Sequence, residues 1–394
     1  MTRVRYPAYD AGPIRRNIVR CPAPAAIDGS PVQLAVVIQG QRVSEVSDRG
    51  TVALTTYRFD FIGRTGEYFR IWVVSLFLSV VTLGIYSAWG KVRKKRYLYA
   101  HTELDGTGFE FRATPLAILR GRVIALVLLG GFALSGHVLP IMQLVFIIIL
   151  LALTPWIVVA ASRFNARNSA WRNITFSFNG GFWEAARVFL ALGLLSVVTL
   201  GLMYPYARMR RARFIIEHHR FGDTQIRVDL MTGGFILAYL LAALMLIGIM
   251  VLFVAAMIAV VFFAAGAASR QQPSGMAALA PVAVLYAAYI AVYAFLRAQI
   301  GNLTLNGVVV GPLRCRSTLR ARDLVWLYLS NIVAILATLG LATAWVTIRM
   351  ARYRARNLYL IGKATPEAFM GTATSAGNAT GSEVSDLFDV DVSL

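Results

Sequence analysis

The sequence predicts an all-α polytopic membrane protein with internal repeats and short β-hairpin-like segments at the membrane surface. Three observations lead there. The 394 residues are 58% hydrophobic and only 15% charged, with a mean hydropathy of +0.63, whereas a soluble domain carries about a quarter charged residues. Several uncharged apolar runs exceed the roughly 20 residues that a helix needs to cross a bilayer. Finally, one motif is written three times, which makes the chain a repeat protein.

The copies begin at Thr82-Leu83-Gly84, Thr199-Leu200-Gly201 and Thr338-Leu339-Gly340. Each T-L-G is followed by four residues and an aromatic (Trp89, Tyr206, Trp345). Three residues further comes an arginine (Arg93, Arg210, Arg349), and after two more a second (Arg96, Arg213, Arg352). An aromatic follows at once: Tyr97, Phe214 or Tyr353. An acidic residue stands fifteen positions before each Thr, at Glu67, Glu184 and Asp323.

A net charge of +20 and a pI of about 10.6 would suggest nucleic acid in a soluble protein. Here the cations cluster at the ends of apolar segments, where they meet anionic headgroups and set topology by the positive-inside rule. The expected partners are therefore membrane lipids with anionic headgroups, and nucleic acid is not expected. Cys21 and Cys315 lie 294 positions apart with no metal-type spacing, so neither a disulfide framework nor a zinc site is implied.

Residues 1–54 are Pro- and Gly-containing, without a long apolar run or a signal-peptide layout, and read as a poorly ordered extension. A membrane domain follows over 55–362, in repeats 55–165, 166–298 and a truncated 299–362. Tyr57-Arg-Phe-Asp-Phe and Ile174-Thr-Phe-Ser-Phe alternate as half-buried strands do. Asp105-Gly106 and Gly222-Asp223 mark turns before Phe109-Glu-Phe-Arg and Ile226-Arg-Val-Asp. The first two units thus read strand, apolar helix, basic helix, strand. In the third, Leu303–Asn306 and Val308–Val310 read as a strand pair before the helix, and Leu358–Ile361 as a remnant. Residues 363–394 have no basic residue after Lys363 and read as a disordered, solvated acidic tail.

The apolar segments are of two kinds. Val123–Ser162 is long enough for two crossings, and Phe235–Ala264 with Ala277–Leu296 supplies two more. The T-L-G segments Ile71–Gly90, Val188–Ala207 and Leu324–Ile348 are also long enough to cross, yet Gly84, Gly201 and Gly340 sit inside them as helix breaks, joined by Pro205. Seven full crossings would invert the second unit against the first and divide the basic clusters between the two faces. Re-entrant or surface-lying T-L-G segments leave four crossings and put every heavily basic stretch on one face. Length favours the first arrangement and charge the second; charge is given the greater weight.

With the repeats in view, the chain resembles the YjgN-like family of bacterial inner-membrane proteins, a domain of unknown function. The residues that carry this are Glu67-Tyr-Phe-Arg-Ile-Trp, Thr82-Leu-Gly-Ile-Tyr-Ser-Ala-Trp-Gly-Lys-Val-Arg, Arg96-Tyr97, Leu104-Asp-Gly and Phe109-Glu-Phe, extended by Trp171-Arg172 and Phe176-Ser-Phe. The resemblance implies a multi-pass protein of the bacterial inner membrane. It carries no activity, cofactor or catalytic residue to transfer.

No enzymatic constellation is assembled by the residues themselves, and no cofactor is expected. Glu217-His218-His219 lacks the spacing that would point two imidazoles at one metal. Gly63 and Gly66 mark a turn without a P-loop lysine. The arginine pairs carry more. At i,i+3 each pair shares a helical face with the preceding aromatic, which suits the headgroup level. Arg at set columns, where Lys91, Lys94 and Lys95 show Lys freely used beside them, suggests bidentate partners: lipid phosphate or the acids Glu67, Glu184 and Asp323. The reading is a structural or anionic-lipid-interacting membrane protein with its basic loops and acidic tail cytoplasmic. The alternative is a transporter or channel with a pathway between the repeats. Against it, the four long crossings lack ionisable residues at mid-depth; for it, helices broken within repeats are a transporter habit.

Overall fold

A computed structural model describes residues 55–138, 140–266 and 275–362. The extension 1–54 and the tail 363–394 lie outside the described residues, as does Arg270 in the link between Phe235–Ala264 and Ala277–Leu296.

The chain is built of five units, each a strand, a pair of antiparallel helical limbs and a second strand. The first comprises β1 (Thr55–Phe61), α1 (Thr65–Val81), α2 (Ser87–Ala100) and β2 (Thr102–Leu104). The second comprises β3 (Thr107–Phe111), α3 (Pro115–Val138), α4 (Pro140–Arg167) and β4 (Ser169–Trp171). The third runs through β5 (Ile174–Phe178), α5 (Phe182–Ala185), a π-helical stretch (Ala186–Ala191), α6 (Leu192–Val198), α7 (Tyr204–Glu217) and β6 (His219–Phe221). The fourth holds β7 (Thr224–Val228), α8 (Thr232–Gly266), α9 (Gly275–Asn306) and β8 (Val308–Val310), and the fifth β9 (Leu313–Ser317), α10 (Ala321–Ala337), α11 (Thr343–Arg356) and β10 (Leu358–Gly362).

The ten strands form one closed antiparallel barrel in chain order, β1 pairing with both β2 and β10. The all-α expectation is therefore wrong. The strands are short and their signal weak beside the apolar helices, but closure removes every sheet edge and satisfies the backbone that an open surface sheet would leave unpaired. Residues 303–306, read as a strand, are the last turn of α9. Leu358–Gly362, read as a remnant, is a full strand paired with both β1 and β9, so the unit read as truncated has a strand at each end.

Consecutive strands are neighbours, so every helical pair leaves from the same barrel rim and every tight turn lies at the other. Two turns are two-residue loops left-handed at both centres, Asp105-Gly106 (φ 53° and 69°) and Arg172-Asn173 (φ 48° and 66°). That geometry matches the twist of the paired strands.

Alternation sorts the strand residues. Tyr57, Leu104, Trp171, Phe221 and Leu313 are buried together in the lumen with Phe59, Phe109 and Phe176 packed against them. Ring contacts run from Phe59 to Phe109 (6.2 Å), on to Trp171 (6.1 Å), then Phe221 (6.0 Å) and Phe176 (5.0 Å). Such pairs contribute about 0.5–1.5 kcal/mol each beyond their area burial. Between them Arg58, Glu110, Arg314 and Arg316 face outward. The barrel is a filled core with a polar coat.

The limbs are of two lengths. Among the described residues, four helices are long and apolar enough to cross a membrane, over 115–136, 141–167, 232–259 and 284–306. These are the pairs of the second and fourth units. The T-L-G pairs of the first, third and fifth are shorter: the 17 residues of α1 rise about 25 Å. Neighbouring pairs are knitted at their bases by small buried clusters, such as Ala88 and Val92 with Ala117, Ile118 and Phe164.

Candidate functional site

Each T-L-G is the tip of a helical pair. In the first, Leu83 adopts φ +50° and Gly84 φ +93°. The Gly84 N–H bonds the Ser79 carbonyl at 2.7 Å and the Leu83 N–H bonds Val80 at 3.1 Å, which closes the last turn of α1. The Thr82 hydroxyl donates to the Leu78 carbonyl at 2.7 Å and accepts the Tyr86 N–H at 2.9 Å, so one side chain ties the end of one helix to the start of the next. Thr199 and Thr338 do the same toward Met203 and Ala342. Backbone satisfied in this way tolerates lipid. The left-handed leucines Leu83, Leu200 and Leu339 stand 95%, 94% and 96% exposed at the apex. Gly84, Gly201 and Gly340 therefore do break the helices, and both ends of each short pair return to the same rim.

The second arginine of each motif is used by the protein itself. Arg96 donates to the Ala113 carbonyl (2.9 Å) and the Phe111 carbonyl (3.2 Å), and Arg213 to Leu230 (3.2 Å). Arg352 reaches Gly63 (3.1 Å). Ala113, Leu230 and Gly63 each lie two residues past the end of the next unit's first strand. The same bond occurs in the units without T-L-G: Arg163 to Gly180 (3.0 Å), and Asn302 to Leu319 (2.8 Å). In four cases donor and acceptor lie 17 positions apart, and Arg352–Gly63 closes the ring.

The motif itself is thus five-fold. Seven positions before the donor stand Trp89, Trp156, Tyr206, Phe295 and Trp345, and four before it Val92, Val159, Met209, Ala298 and Ile348, all buried. The sequence signal in 156–164 and 295–303 was there to find. It is veiled because those helices lack T-L-G and because Asn302 replaces arginine.

The first arginines differ among themselves. Arg349 bonds Ser330 (2.7 Å) and Asn331 (3.0 Å) on α10 and stacks on Trp345 at 4.9 Å. Arg93 and Arg210 make no hydrogen bond or ion pair among the described residues. Trp345 is the exposed aromatic of the three, while Trp89 and Tyr206 pack into the basal clusters.

Among the described residues, no ion pair joins the three acids to these arginines. Glu67 accepts from the Tyr97 hydroxyl at 3.0 Å and lies 3.9 Å from His101. Glu184 pairs with His218 at 3.0 Å. Asp323 has Asn357 where the others have histidine, and makes no hydrogen bond or ion pair among the described residues. The Tyr97 hydroxyl also takes the Arg64 N–H at 2.8 Å, capping α1, and burial pushes its ionisation up. Tyr353 caps α10 through the Arg320 N–H at 3.2 Å.

His219 hydrogen-bonds the Ile215 carbonyl, and burial holds its imidazole below the ordinary value. Cys315, among the inward residues of β9, has its thiol pushed up to about 11 by burial. No group of three His, Cys, Asp or Glu is placed to hold a metal among the described residues.

The chain is similar to bacterial inner-membrane proteins. An inner membrane protein YjgN of Salmonella typhimurium is 24% identical over 349 residues, spanning 77% of this chain and 88% of that one. Its counterpart in Escherichia coli K12 is 28% identical over 153 residues, 38% of each chain. No solved structure matches. Residues 56–387 match the family described as bacterial protein of unknown function (DUF898), and the chain, an integral membrane protein whose helical pairs form a crown on one rim of its barrel, belongs to that family.

Proposed function

We propose that the protein is an inner-membrane scaffold whose basic collar, between barrel and crown, holds anionic lipid headgroups on the cytoplasmic side. One observation carries this: Arg93 and Arg210 lack a hydrogen-bond or ion-pair partner among the described residues, two positions below Lys91 and Arg208, where the charge-free tips begin. Exposed Arg70, Arg120 and Arg187 stand at the same margin. Guanidinium is the side chain suited to bidentate phosphate. The arginines beside them, Arg96 and Arg213, are taken by backbone carbonyls, which divides these two pairs into a structural member and a lipid-facing one. The positive-inside bias supports a cytoplasmic barrel. The lumen filled by Phe59, Phe109, Trp171 and Phe221 weighs against a solute path along the barrel axis.

The test is lipid binding in nanodiscs or by native mass spectrometry with phosphatidylglycerol. Arg93→Gln with Arg210→Gln is expected to weaken binding about tenfold while leaving thermal stability intact. Undiminished binding would sink the proposal.

A further inference from the structure

The fifth unit departs from the others in a way that makes a site. In the first unit α1 and α2 pack along each other, but in the fifth α10 lies mainly on α9, and α11 on α1 and β1. The pair is parted, and a cavity of about 810 Å³ opens between its limbs. Arg322, Asp323, Trp326, Leu329, Arg349 and Tyr353 line it. Asp323 and Arg322 stand at its base, one residue below the charge-free stretch that begins at Leu324, and neither has a hydrogen-bond or ion-pair partner among the described residues. Arg349, anchored to Ser330 and Asn331, forms a further wall. Trp326, 69% exposed, presents an indole at the lipid margin.

Arg322 and Asp323 both line the cavity, below Val325, Trp326 and Leu329 on the same helix, and as helix neighbours they point about 100° apart and form no ion pair. A carboxylate and a guanidinium held apart in this way fit a ligand with a cation and an anion a few bonds apart and hydrocarbon above. We propose that this cavity binds the zwitterionic headgroup of an ethanolamine phospholipid, its ammonium on Asp323 and its phosphate on Arg322, with the chains leaving past Trp326 and Leu329. A primary ammonium donates hydrogen bonds that a carboxylate accepts; a choline headgroup cannot, and calls for a cage of aromatic rings. The first and third units could not do this, because Glu67 is taken by Tyr97 and His101 and Glu184 by His218. The proposal deepens the lipid-collar reading, from which it takes the depth of the membrane.

The experiment is back-titration of delipidated, detergent-purified full-length protein, followed by native mass spectrometry. Phosphatidylethanolamine should bind about tenfold more tightly than its N-acetylated analogue, which keeps the phosphate and loses the ammonium. Asp323→Asn should erase that preference and Asp323→Glu restore it, with phosphatidylglycerol binding unchanged. Equal binding of the two lipids by the wild-type protein overturns the proposal whatever the variants do. The Arg93→Gln, Arg210→Gln protein separates the two readings: it should lose phosphatidylglycerol and keep the ethanolamine preference. Failure of the first effect alone rejects the collar, and failure of the preference alone rejects the cavity.

Discussion

The Arg352 guanidinium donates to the Gly63 carbonyl at 3.1 Å, joining residues 289 positions apart. It is the fifth of five equivalent bonds and the one that brings the last unit back to the first. Arg352→Ala leaves that carbonyl short of a partner, at about 1–3 kcal/mol. The expected outcome in a detergent melt is a clear loss of stability, larger than for Arg93→Ala. Equal melting of the two variants would contradict the assignment of a structural role to the second arginine of the motif and of a free one to Arg93.

Tyr97 and Tyr353 cap helices through their hydroxyls. Tyr97→Phe and Tyr353→Phe should each destabilise by about 1 kcal/mol, the usual value of an N-cap. Tyr97→Phe should weigh more, since its bonds to Arg64 are shorter than those of Tyr353 to Arg320. Chemical denaturation of the purified proteins measures both.

The T-L-G tips make a topological prediction. Arg70→Cys and Arg93→Cys flank one tip on opposite limbs and should react with an impermeant thiol reagent from the same face of the membrane. Labelling from opposite faces would reject the returning pair. Thr82→Val keeps shape but removes both hydroxyl bonds, and should lower the melting temperature. Gly84→Ala should cost about 1 kcal/mol for its left-handed backbone, since open space surrounds the missing Cβ.

His219 gives stability a pH dependence of known sign. Its folded imidazole sits below the ordinary 6.5 because of burial. Above about 6.5 the group is neutral in both states and contributes nothing. As pH falls below that value the unfolded chain takes the proton first, so stability declines until the folded group also titrates. His219→Asn should therefore lose less stability than the wild type between about pH 7.5 and about pH 5.5.

Cys315, with its thiol raised from 9.0 to about 11 and buried, should resist alkylation. In a Cys21→Ser background near neutral pH, its thiolate fraction falls by about 100-fold from the pKa alone. Maleimide labelling should be negligible in the native protein and rapid after denaturation.

Much of this plan was legible in the residues. Seven matched columns announced the T-L-G pairs, whose limbs both return to one rim of the barrel, the arrangement to which charge gave the greater weight. Tyr57-Arg-Phe-Asp-Phe and the Asp105-Gly106 turn announced strands. Closure was not legible, because β2, β4, β6 and β8 are three residues each and pairing is a property of the ring rather than of any segment. The roles of Arg96 and Arg213 were hidden for a related reason. Their acceptors are main-chain carbonyls, which leave no mark on residue identity, whereas an acid–arginine pair would have. The acids did have partners legible in principle, at His101 and His218, four residues past the closing aromatic.

The unequal lengths of the limbs also determine how the molecule occupies area across a bilayer. Only about 16 Å of α1, from Ile71 to Val81, is free of charge, half the thickness of a hydrocarbon core. Among the described residues, ten limbs leave the barrel rim and four of them are long enough to cross a bilayer. With the barrel set at one face of a membrane, the nearer leaflet would therefore have to make room for more protein than the farther one.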